Sequence, residues 1–360
     1  MIKLIFIPDK ESMERSNTIL VYGSYGYTGS LIVDLCKQQN LSVILAGRNR
    51  EKLQEQANRT GYPFEVLDLK DTNGLNHLLA NVKVVIHCGG PFQETARTMA
   101  EACLRTQTHY TDITGEYQVF EDLALLHEQA IKANICILPG AGFDVVPSDC
   151  LALMLKKELP TATHLQLAFV STGGGLSRGT AKTMTMGMGY GSVVRQNGKL
   201  TTLPLGKTTT FNFGAFTMET LNIPWGDIAT AYRSTGIPNI EVYTGVPKAS
   251  IRMAKFSNYI QGILRLPFIK KAMLKKIDNK PAGPSTEKRN KSKTYLYGKV
   301  WDKNKAVELR LLTPNGYSLT AATSVEIAVR LLQEKRSGYM TPAQAFGENF
   351  ILSFDGVKRL

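Results

Sequence analysis

Cysteine is scarce in this sequence of 360 residues, and its placement excludes several kinds of site. The cysteines are odd in number and scattered, without a Cys-x-x-Cys pair: Cys36, Cys88, Cys103, Cys136 and Cys150. The five histidines fall in separate predicted elements, and none stands at the spacing of metal ligands. The sequence therefore predicts no metal site and no disulfide framework, but reduced and mostly buried thiols in a cytoplasmic protein.

Long hydrophobic runs are also missing. No stretch approaches the ~20 consecutive apolar residues that a membrane-spanning helix needs. The first residues, MIKLIFIPDKESMERS, contain a short apolar run with a lysine inside it and no small-residue cleavage site, which is unlike a signal peptide. We predict an N-terminal extension over residues 1–17. Met13 is an alternative start to Met1, because the first predicted strand begins only at Thr18.

The chain has few acidic residues for its basic ones, with a formal charge of +13, yet it lacks a recognisable nucleic-acid-binding module. Nucleic acid is therefore not an expected partner. A solvated basic surface accounts for the charge, and attraction to acidic lipid or to a phosphorylated cofactor is the alternative. No internal repeat and no Ser/His/Asp nucleophile arrangement is evident.

What the sequence does contain is an alternation of strand-like and helix-like segments, which predicts a doubly wound parallel α/β sheet over residues 18–147. The composition then changes. Over residues 148–316 the predicted strands are longer, rich in threonine and not separated by helices, which indicates a second α/β domain with a mixed, largely antiparallel sheet. Residues 317–360 are predicted to be a helix and tail that pack back on the first domain.

A glycine-rich turn follows the first predicted strand and precedes a helix. It reads GSYGYTG and comprises Gly23, Ser24, Tyr25, Gly26, Tyr27, Thr28 and Gly29. In this context the first glycine permits the tight turn, the second lets backbone N–H groups approach a pyrophosphate, and the third permits close packing of helix on strand. We therefore predict a dinucleotide-binding Rossmann domain, although the middle glycine comes one residue later than in the usual pattern.

The end of the second strand discriminates between cofactors. NAD enzymes place an acidic residue there for the ribose 2′-hydroxyl. Here the strand ends in Ala-Gly-Arg48-Asn49-Arg, and the first acid is Glu51. Arg48 suits a 2′-phosphate, because its planar guanidinium donates two parallel hydrogen bonds. We predict NADP(H), with Arg48 as the main determinant and Asn49 and Lys52 beside it; the alternative is that Arg48 caps a surface loop.

Two further predicted strands end at the same edge of the sheet, where ligands bind in open α/β folds. Asp68 and Leu69 are expected to border the adenine. A second set of residues follows the next strand. Gly-Gly-Pro weakens a strand but lets a ligand approach the backbone closely, so we expect it to contact the cofactor; the alternative is an ordinary turn. It comprises Cys88, Gly89, Gly90, Pro91 and Phe92.

Two polar, glycine-rich segments are the expected walls of a substrate site. PGAGFDVVPSD leaves the last strand of the first domain, and STGGGLSRGTAKT follows the first strand of the second. The expected substrate contacts are Gly142, Phe143, Ser177 and Thr180. A hydride-transfer enzyme also needs a group that gives or takes one proton. Asp144 or Lys182 is expected in that role, and the alternative is that both are loop or capping residues.

A basic amphipathic segment lies over residues 250–280 of the second domain. Its apolar residues fall near helical spacing, Pro267 interrupts them, and lysines and arginines flank them. Such a helix can lie on an acidic membrane surface, here through residues 250–277. The alternative is two helices that cover the substrate domain or form an interface between copies, so a homodimer stays open.

Together the motifs resemble the saccharopine dehydrogenase-like oxidoreductases, particularly their trans-acting enoyl reductase branch. They follow the order of the family from about Thr18 to Phe350: GSYGYTG, LAGRN, GGPF, YTDITGE, PGAGFDVVPSD, GGLSRGT, GPSTEKR, GYSLTAATSVEIA and GYMTPAQAFG. The resemblance implies NADP(H) bound between a Rossmann domain and a domain with a mixed sheet, and an apolar acyl, lipid or polyketide-type substrate, free or carrier-bound, whose carbon-carbon double bond is reduced.

Two other functions stay open. The first is a saccharopine-type C=N reductase or dehydrogenase acting on an amino-acid adduct; clustered arginines would bind its carboxylates, whereas the GGGLSRGT loop offers only Arg178. The second is a non-enzymatic protein that binds a lipid surface or a partner and keeps the nucleotide fold. Intact Gly26 and Arg48 argue against that second function.

Overall fold

The structure, a computed structural model, describes residues 17–173 and 175–360. Apart from Asn17, the extension predicted over residues 1–17 lies outside the described residues, as does the choice between Met1 and Met13. All five cysteines are described; none forms a disulfide, and four are buried.

The strands follow one another along the chain in two groups. They are β1 (Ile19–Tyr22), β2 (Val43–Gly47), β3 (Phe64–Val66), β4 (Val84–His87), β5 (His109–Asp112), β6 (Cys136–Leu138), β7 (His164–Ser171), β8 (Ser192–Gln196), β9 (Lys199–Leu203), β10 (Thr208–Asn212), β11 (Thr217–Asn222), β12 (Asn239–Gly245), β13 (Lys293–Trp301), β14 (Ala306–Pro314), β15 (Gly338–Tyr339) and β16 (Lys358–Arg359).

The helices alternate with the strands in the first group and cover the sheet in the second. They are α1 (Tyr27–Gln38), α2 (Arg50–Thr60), α3 (Thr72–Ala80), α4 (Phe92–Thr106), α5 (Tyr117–Ala124), α6 (His127–Lys132), α7 (Val146–Glu158), α8 (Arg178–Met186), α9 (Asp227–Thr235), α10 (Lys248–Ser257), α11 (Gln261–Leu264), α12 (Pro267–Asp278), α13 (Thr286–Lys291), α14 (Gly316–Gln333) and α15 (Pro342–Phe346).

The first sheet is parallel throughout and runs in the order β15-β6-β5-β4-β1-β2-β3. Its central strand β1 is buried along its length, as expected of a strand with helices on both faces. The order reverses beside β1, so that β1 and β4 form the switch point at which open α/β sheets bind ligands. The predicted doubly wound Rossmann sheet is confirmed.

The seventh strand, β15, was not expected from the sequence. It has two residues, and the N–H groups of Gly338 and Met340 donate to the carbonyls of Ile135 and Ile137 along β6. A strand this short has too few residues to show an alternating pattern. Close by in the chain, α14 packs against α1 and β4, so α14 and β15 contact the first domain, whereas the last strand, β16, pairs with β14 of the second sheet.

The second sheet runs in the order β10-β11-β12-β7-β13-β14-β16, with β8 paired to β12 and β9. The pair of β12 and β7 is parallel and the other pairs are antiparallel, so the predicted mixed, largely antiparallel sheet is confirmed. Helix α7 lies close on this sheet, because a Cβ at Gly298 of β13 would meet the Leu155 side chain at 2.6 Å.

Two segments that read as polar loops contain helices. Helix α8 begins within STGGGLSRGTAKT, where the Ser177 side chain accepts from the N–H of Thr180. Helix α13 begins within DNKPAGPSTEKRNKSK, a polar segment rich in proline and lysine that is typical of a loop, where the Ser285 side chain accepts from the N–H of Lys288. In both, a serine cap satisfies a backbone donor that a short polar helix would otherwise leave unpaired.

The basic segment forms α10, α11 and α12, and Pro267 stands at the first position of α12, where its missing N–H costs nothing. Within residues 17–173 and 175–360, no helix combines the length and the apolarity needed to cross a bilayer.

Candidate functional site

The glycine-rich turn leaves no room for side chains at two of its glycines. Gly23 has φ +78°, and a Cβ there would lie 2.9 Å from the carbonyl carbon of Cys88 and from the N–H nitrogen of Gly89. A Cβ at Gly29 would lie 2.5 Å from the carbonyl oxygen of Gly23. The turn therefore packs on the end of β4, while α1 packs on the turn, as the predicted roles of these glycines require.

The N-terminus of α1 is open toward the turn. Gly26 is its N-cap and supplies no side-chain hydrogen bond, and the first turn of α1 contains no acidic residue. Its backbone N–H groups and positive dipole end are therefore available to an anion. The buried Oγ of Ser24 has no hydrogen-bond partner among the described residues. These features fit a dinucleotide pyrophosphate, as does the close packing at Gly23 and Gly29, which leaves no room for a Cβ. We call this glycine turn and the N-terminus of α1 the cradle.

The close packing around Gly23 predicts that Gly23→Ala lowers the free energy of unfolding. Gly61 has almost the same backbone angle, φ +80°, but nothing lies within 4 Å of its Cβ position. Gly61→Ala should therefore cost only the left-handed strain of about 1–2 kcal/mol. Gly23→Ala should cost a further ~1–3 kcal/mol because its Cβ meets backbone.

Urea unfolding of both variants measures these costs, and nucleotide titration should show weaker binding for Gly23→Ala alone. Equal destabilisation and equal nucleotide affinity of the two variants would contradict the cradle.

The end of β2 carries the predicted cofactor-selecting residues. Arg48 is exposed, and its charge acts on the Tyr22 hydroxyl. The Tyr25 ring covers Gly47, where a Cβ would meet it at 2.6 Å, and the Lys52 Nζ lies 5.8 Å from the centre of that ring. Arg48, Tyr25 and Lys52 thus surround one end of the turn. Asn49 caps α2, since its side chain accepts from the N–H of Lys52 at 2.8 Å.

The residues predicted to border the adenine follow β3. Asp68 is exposed, and its Oδ1 accepts from the N–H of Lys70. Leu69 is buried. The Tyr22 hydroxyl donates to the carbonyl of Leu67, and burial, with the nearby Asp68 carboxylate, raises the pKa of Tyr22 to about 12. Tyr22 therefore stays neutral and ties the end of β1 to the end of β3.

The end of β4 approaches the turn closely. A Cβ at Gly89 would lie 3.0 Å from the Tyr22 ring, whereas Gly90 has ordinary contacts with Phe92. Pro91 is the N-cap of α4 and has no side-chain donor or acceptor. Burial raises the pKa of Cys88, so this thiol is not an activated nucleophile.

Glu116, which was not singled out from the sequence, links three elements at this edge. Its carboxylate accepts from the N–H groups of Phe92 and Gln93 at 3.3 and 3.1 Å, at the N-terminus of α4. Burial raises its pKa, while these two N–H groups and the Thr183 hydroxyl of α8 act in the opposite direction. Glu116 thus joins the first sheet to α8. The signal was present in YTDITGE, where acids follow β5 at the ligand-binding edge.

Asp112, also missed, holds the ends of β5 and β6 together. It is fully buried and accepts from the Tyr110 hydroxyl at 2.6 Å and from the N–H groups of Thr114 and Gly140 at 3.0 and 2.8 Å. Burial raises its pKa to about 6, and these hydrogen bonds limit the rise. Asp112 therefore shapes both loops without facing an open space.

Asp144 follows β6 and lies against the loop after β5. A Cβ at Gly115 would lie 2.8 Å from its Oδ2, so only glycine fits opposite this carboxyl group. Its backbone carbonyl accepts from the Trp225 Nε1 at 2.9 Å. Desolvation raises the pKa of Asp144 to about 7, and the charge of Glu116 adds to the rise. Asp144 can therefore hold or release a proton near neutral pH.

Lys182 lies in α8. Its Nζ pairs with the Asp278 carboxylate of α12 at 2.5 Å, and both side chains are substantially exposed. The neighbouring Thr183, not Lys182, contacts Glu116. The two predicted proton-transfer residues therefore occupy different surroundings.

The predicted substrate residues divide into two groups. Gly142 packs on α14 and Phe143 on β7: a Cβ at Gly142 would meet the Thr320 side chain at 2.7 Å, and the Phe143 ring is mostly buried against Phe169. Ser177 and Thr180, at the start of α8, contact the Tyr317 hydroxyl at 2.6 Å through the Ser177 N–H and at 3.2 Å through the Thr180 Oγ1.

Tyr27 brings distant motifs together at the turn. Its hydroxyl donates to the carbonyl of Pro284 at 2.6 Å and accepts from Arg289 at 3.0 Å, and its ring meets that of Tyr317 edge-on. The Tyr27 side chain therefore points to the second domain rather than across the turn, and its backbone N–H remains at the N-terminus of α1. Pieces of GSYGYTG, GPSTEKR, GYSLT and GGLSRGT thus meet at one place.

Comparison with known proteins identifies the first domain. Residues 19–138 match the family described as the saccharopine dehydrogenase NADP-binding domain. A trans-acting enoyl reductase of Mycobacterium leprae is 31% identical over 160 residues, 42% of this chain and 37% of that protein. A human saccharopine dehydrogenase-like oxidoreductase is 28% identical over 208 residues, 51% of this chain and 48% of that protein. The matched region thus spans about half the length of these relatives or less.

Two solved structures share the whole fold at low identity. A saccharopine dehydrogenase (L-Glu forming) of Saccharomyces cerevisiae aligns with a TM-score of 0.65 and 13% identity over 96% of this chain and 100% of that chain. A homospermidine synthase of Legionella pneumophila, in complex with NAD, aligns with a TM-score of 0.63 and 11% identity over 96% and 92%. Residues 19–138 are therefore similar to the NADP-binding domain of saccharopine dehydrogenases, and the described chain has the fold of such an enzyme.

Proposed function

We propose that this chain is an NADPH-dependent reductase of a carbon-carbon double bond in an apolar acyl-type substrate. The observation that carries the proposal is Asp144: a carboxyl group with a pKa of about 7, beside Gly115 and on the sheet edge that also carries the nucleotide cradle. Relatives named trans-acting enoyl reductase, which match 42% and 38% of this chain, support the reaction class.

The choice of NADPH rests on Arg48. It stands where NAD-binding domains place an acidic residue, it is exposed, and Lys52 and Tyr25 lie near it. A guanidinium in that position binds a 2′-phosphate through paired hydrogen bonds.

The residues of the chain divide the work. The open N-terminus of α1 binds the pyrophosphate, and Arg48 holds the 2′-phosphate. When bound, NADPH supplies the hydride. Asp144 carries its proton below a pH of about 7 and gives it to the carbon next to the acyl carbonyl. Glu116 positions the N-terminus of α4 through its two backbone hydrogen bonds.

The amino-acid alternative is less well supported by the residues present. Within residues 171–183 the only arginine is Arg178, and its guanidinium donates to the carbonyl of Asp278 at 3.2 Å. A substrate with several carboxylates calls for several free arginines.

Turnover with NADPH that carries deuterium at both C4 positions tests the proposal. The purified chain is incubated with a trans-2-enoyl thioester, or with a keto acid and an amino acid that together form an imine. We expect NADPH consumption only with the thioester, and one deuterium at the β-carbon of the product, because the hydride attacks that carbon. Consumption only with the imine-forming pair would establish the saccharopine-type reaction instead.

A further inference from the structure

An exposed apolar surface covers the helices after β12. Four of its side chains are largely exposed to solvent: Met253 is 72% exposed, Phe256 61%, Tyr259 86% and Phe268 65%. Ile263 and Leu266 are also exposed and extend the surface along α11 and toward α12. Single exposed apolar residues are ordinary, but several on consecutive helices of one short segment indicate an interaction surface.

The charge of the same helices has one sign. Between residues 248 and 277 there are eight lysines and arginines and no aspartate or glutamate. Lys255, Lys271, Lys275 and Lys276 are exposed beside the apolar side chains. The first acidic residue, Asp278, is already paired with Lys182. The apolar surface is therefore surrounded by uncompensated positive charge.

The surface continues onto α8. Arg265 donates through Nε to the carbonyl of Gly189 at 2.8 Å, and Lys270 donates to the carbonyl of Met186 at 2.6 Å. Both cations lie over the Tyr190 ring, at 5.1 and 4.5 Å from its centre. Met184, on α8, is 58% exposed. These contacts hold α8 and the residues after it against α11 and α12. We call the exposed apolar and basic side chains of α8 and of residues 248–277 the α8–α12 surface.

We propose that the α8–α12 surface docks onto a membrane that contains anionic phospholipid. Phe256, Tyr259 and Phe268 would enter the interface between headgroups and acyl chains, and the lysines beside them would contact phosphate and carboxylate headgroups. An acidic protein partner would also match the charge, but protein–protein interfaces are depleted in lysine, whereas six of these eight cations are lysines, as is typical of helices that lie on anionic membranes. A second copy of the chain would bring two faces of the same positive charge together, which is unfavourable.

The position of α8 gives this docking a consequence for the proposed function, on which this step rests. Helix α8 contacts Glu116 through Thr183, and its start contacts Tyr317 through Thr180. The same helix therefore borders the candidate site and the α8–α12 surface. An acyl substrate dissolved in the membrane would meet the protein next to the site.

Sedimentation with vesicles tests the docking without any need for activity. The full chain is mixed with vesicles of phosphatidylcholine alone or with added phosphatidylserine, and we expect binding only to the latter. The triple variant Phe256→Ser, Tyr259→Ser, Phe268→Ser and the triple variant Lys271→Glu, Lys275→Glu, Lys276→Glu should each bind at least about tenfold more weakly.

Two control variants carry substitutions of the same kinds, two in each, at exposed positions outside the α8–α12 surface. Leu125→Ser with Ile131→Ser alters two exposed apolar residues of the first domain, and Lys303→Glu with Lys305→Glu alters two exposed lysines; both should bind as the unchanged chain does. Binding that responds to the charge variant but not to the serine variant would overturn the proposed insertion of the aromatic side chains and leave only electrostatic adsorption. No binding of the unchanged chain to either kind of vesicle would overturn the proposal in favour of an acidic protein partner. A dimer in analytical ultracentrifugation that the serine variant abolishes would overturn it in favour of self-association.

A turnover assay of the same preparations with NADPH and the trans-2-enoyl thioester separates the two proposals. A chain that binds vesicles but reduces no enoyl thioester refutes the function and leaves the docking surface intact. A chain that reduces the thioester but ignores anionic vesicles does the reverse.

Discussion

Asp144→Asn should lower the rate of enoyl reduction by about 10²- to 10⁴-fold, because it removes the proton donor while preserving the size of the side chain. The unchanged chain should lose activity as the pH rises through about 7, the pKa to which desolvation raises Asp144, since the deprotonated carboxylate has no proton to give. The variant's residual activity should not follow this pH dependence. Steady-state rates across pH, together with NADPH titration, provide the measurement.

Nucleotide binding is the first control, and Asp144→Asn should leave it intact because the cradle lies at the ends of β1 and β4. Lys182→Met is the second. It breaks an exposed ion pair with Asp278, whose contribution to stability is about 0–1 kcal/mol, and should leave the rate and its pH profile nearly unchanged. A large loss with Lys182→Met and a retained pH profile in Asp144→Asn would transfer the proton-donor role to Lys182.

The charge of Glu116 offers a finer check of the same mechanism. Desolvation is the main cause of the raised pKa of Asp144 and Glu116 is the second cause. Glu116→Gln should therefore move the fall in activity to lower pH without abolishing it. A profile that stays in place would show that another group controls it.

The first sheet could be predicted from the sequence because its determinants are local. Strands β1, β2, β4 and β6 are short apolar runs, each followed by a helix-forming segment, and burial on both faces makes that pattern plain. Strands β3 and β5 are less apolar, but the alternation of strands and helices on either side predicts them. Strand β15 could not be predicted, because two residues are too few to show an alternating hydrophobic pattern. Its position depends on pairing with β6, about 200 residues earlier in the chain. Helices α8 and α13 escaped because a serine cap, rather than an apolar stripe, specifies where they begin.

The candidate site divides in the same way. The glycine turn and Arg48 are close in the chain and follow adjacent strands. They could be predicted to lie together because ligands bind at the carboxyl ends of the strands in open α/β sheets. The contact of Tyr27 with Pro284 joins residues 257 positions apart, and no local pattern in either segment announces it. Glu116 belonged to a motif whose position was noted, but its role depends on the N-terminus of α4 lying against it.

The selectivity for the phosphorylated cofactor is the second large effect that we expect. Arg48→Ala should weaken NADPH binding by about 10- to 100-fold, corresponding to ~1.5–3 kcal/mol for hydrogen bonds to a charged group, and should leave NADH binding nearly unchanged. The reason is that the guanidinium of Arg48 would contact only the 2′-phosphate that NADH lacks. Fluorescence titration of both nucleotides with both proteins gives the four dissociation constants required.

Arg105→Ala is the matched control, because Arg105 is an exposed arginine of the same domain at the opposite end of α4, and its loss should change neither affinity. Lys52→Ala should produce a smaller loss than Arg48→Ala, since an ammonium acts on the phosphate as a single point charge whereas a guanidinium forms two aligned hydrogen bonds. Equal affinities of the unchanged chain for NADPH and NADH would refute the cofactor assignment. Because the pyrophosphate cradle serves both nucleotides, that outcome would leave the nucleotide-binding role of the glycine turn standing and remove only the role of Arg48.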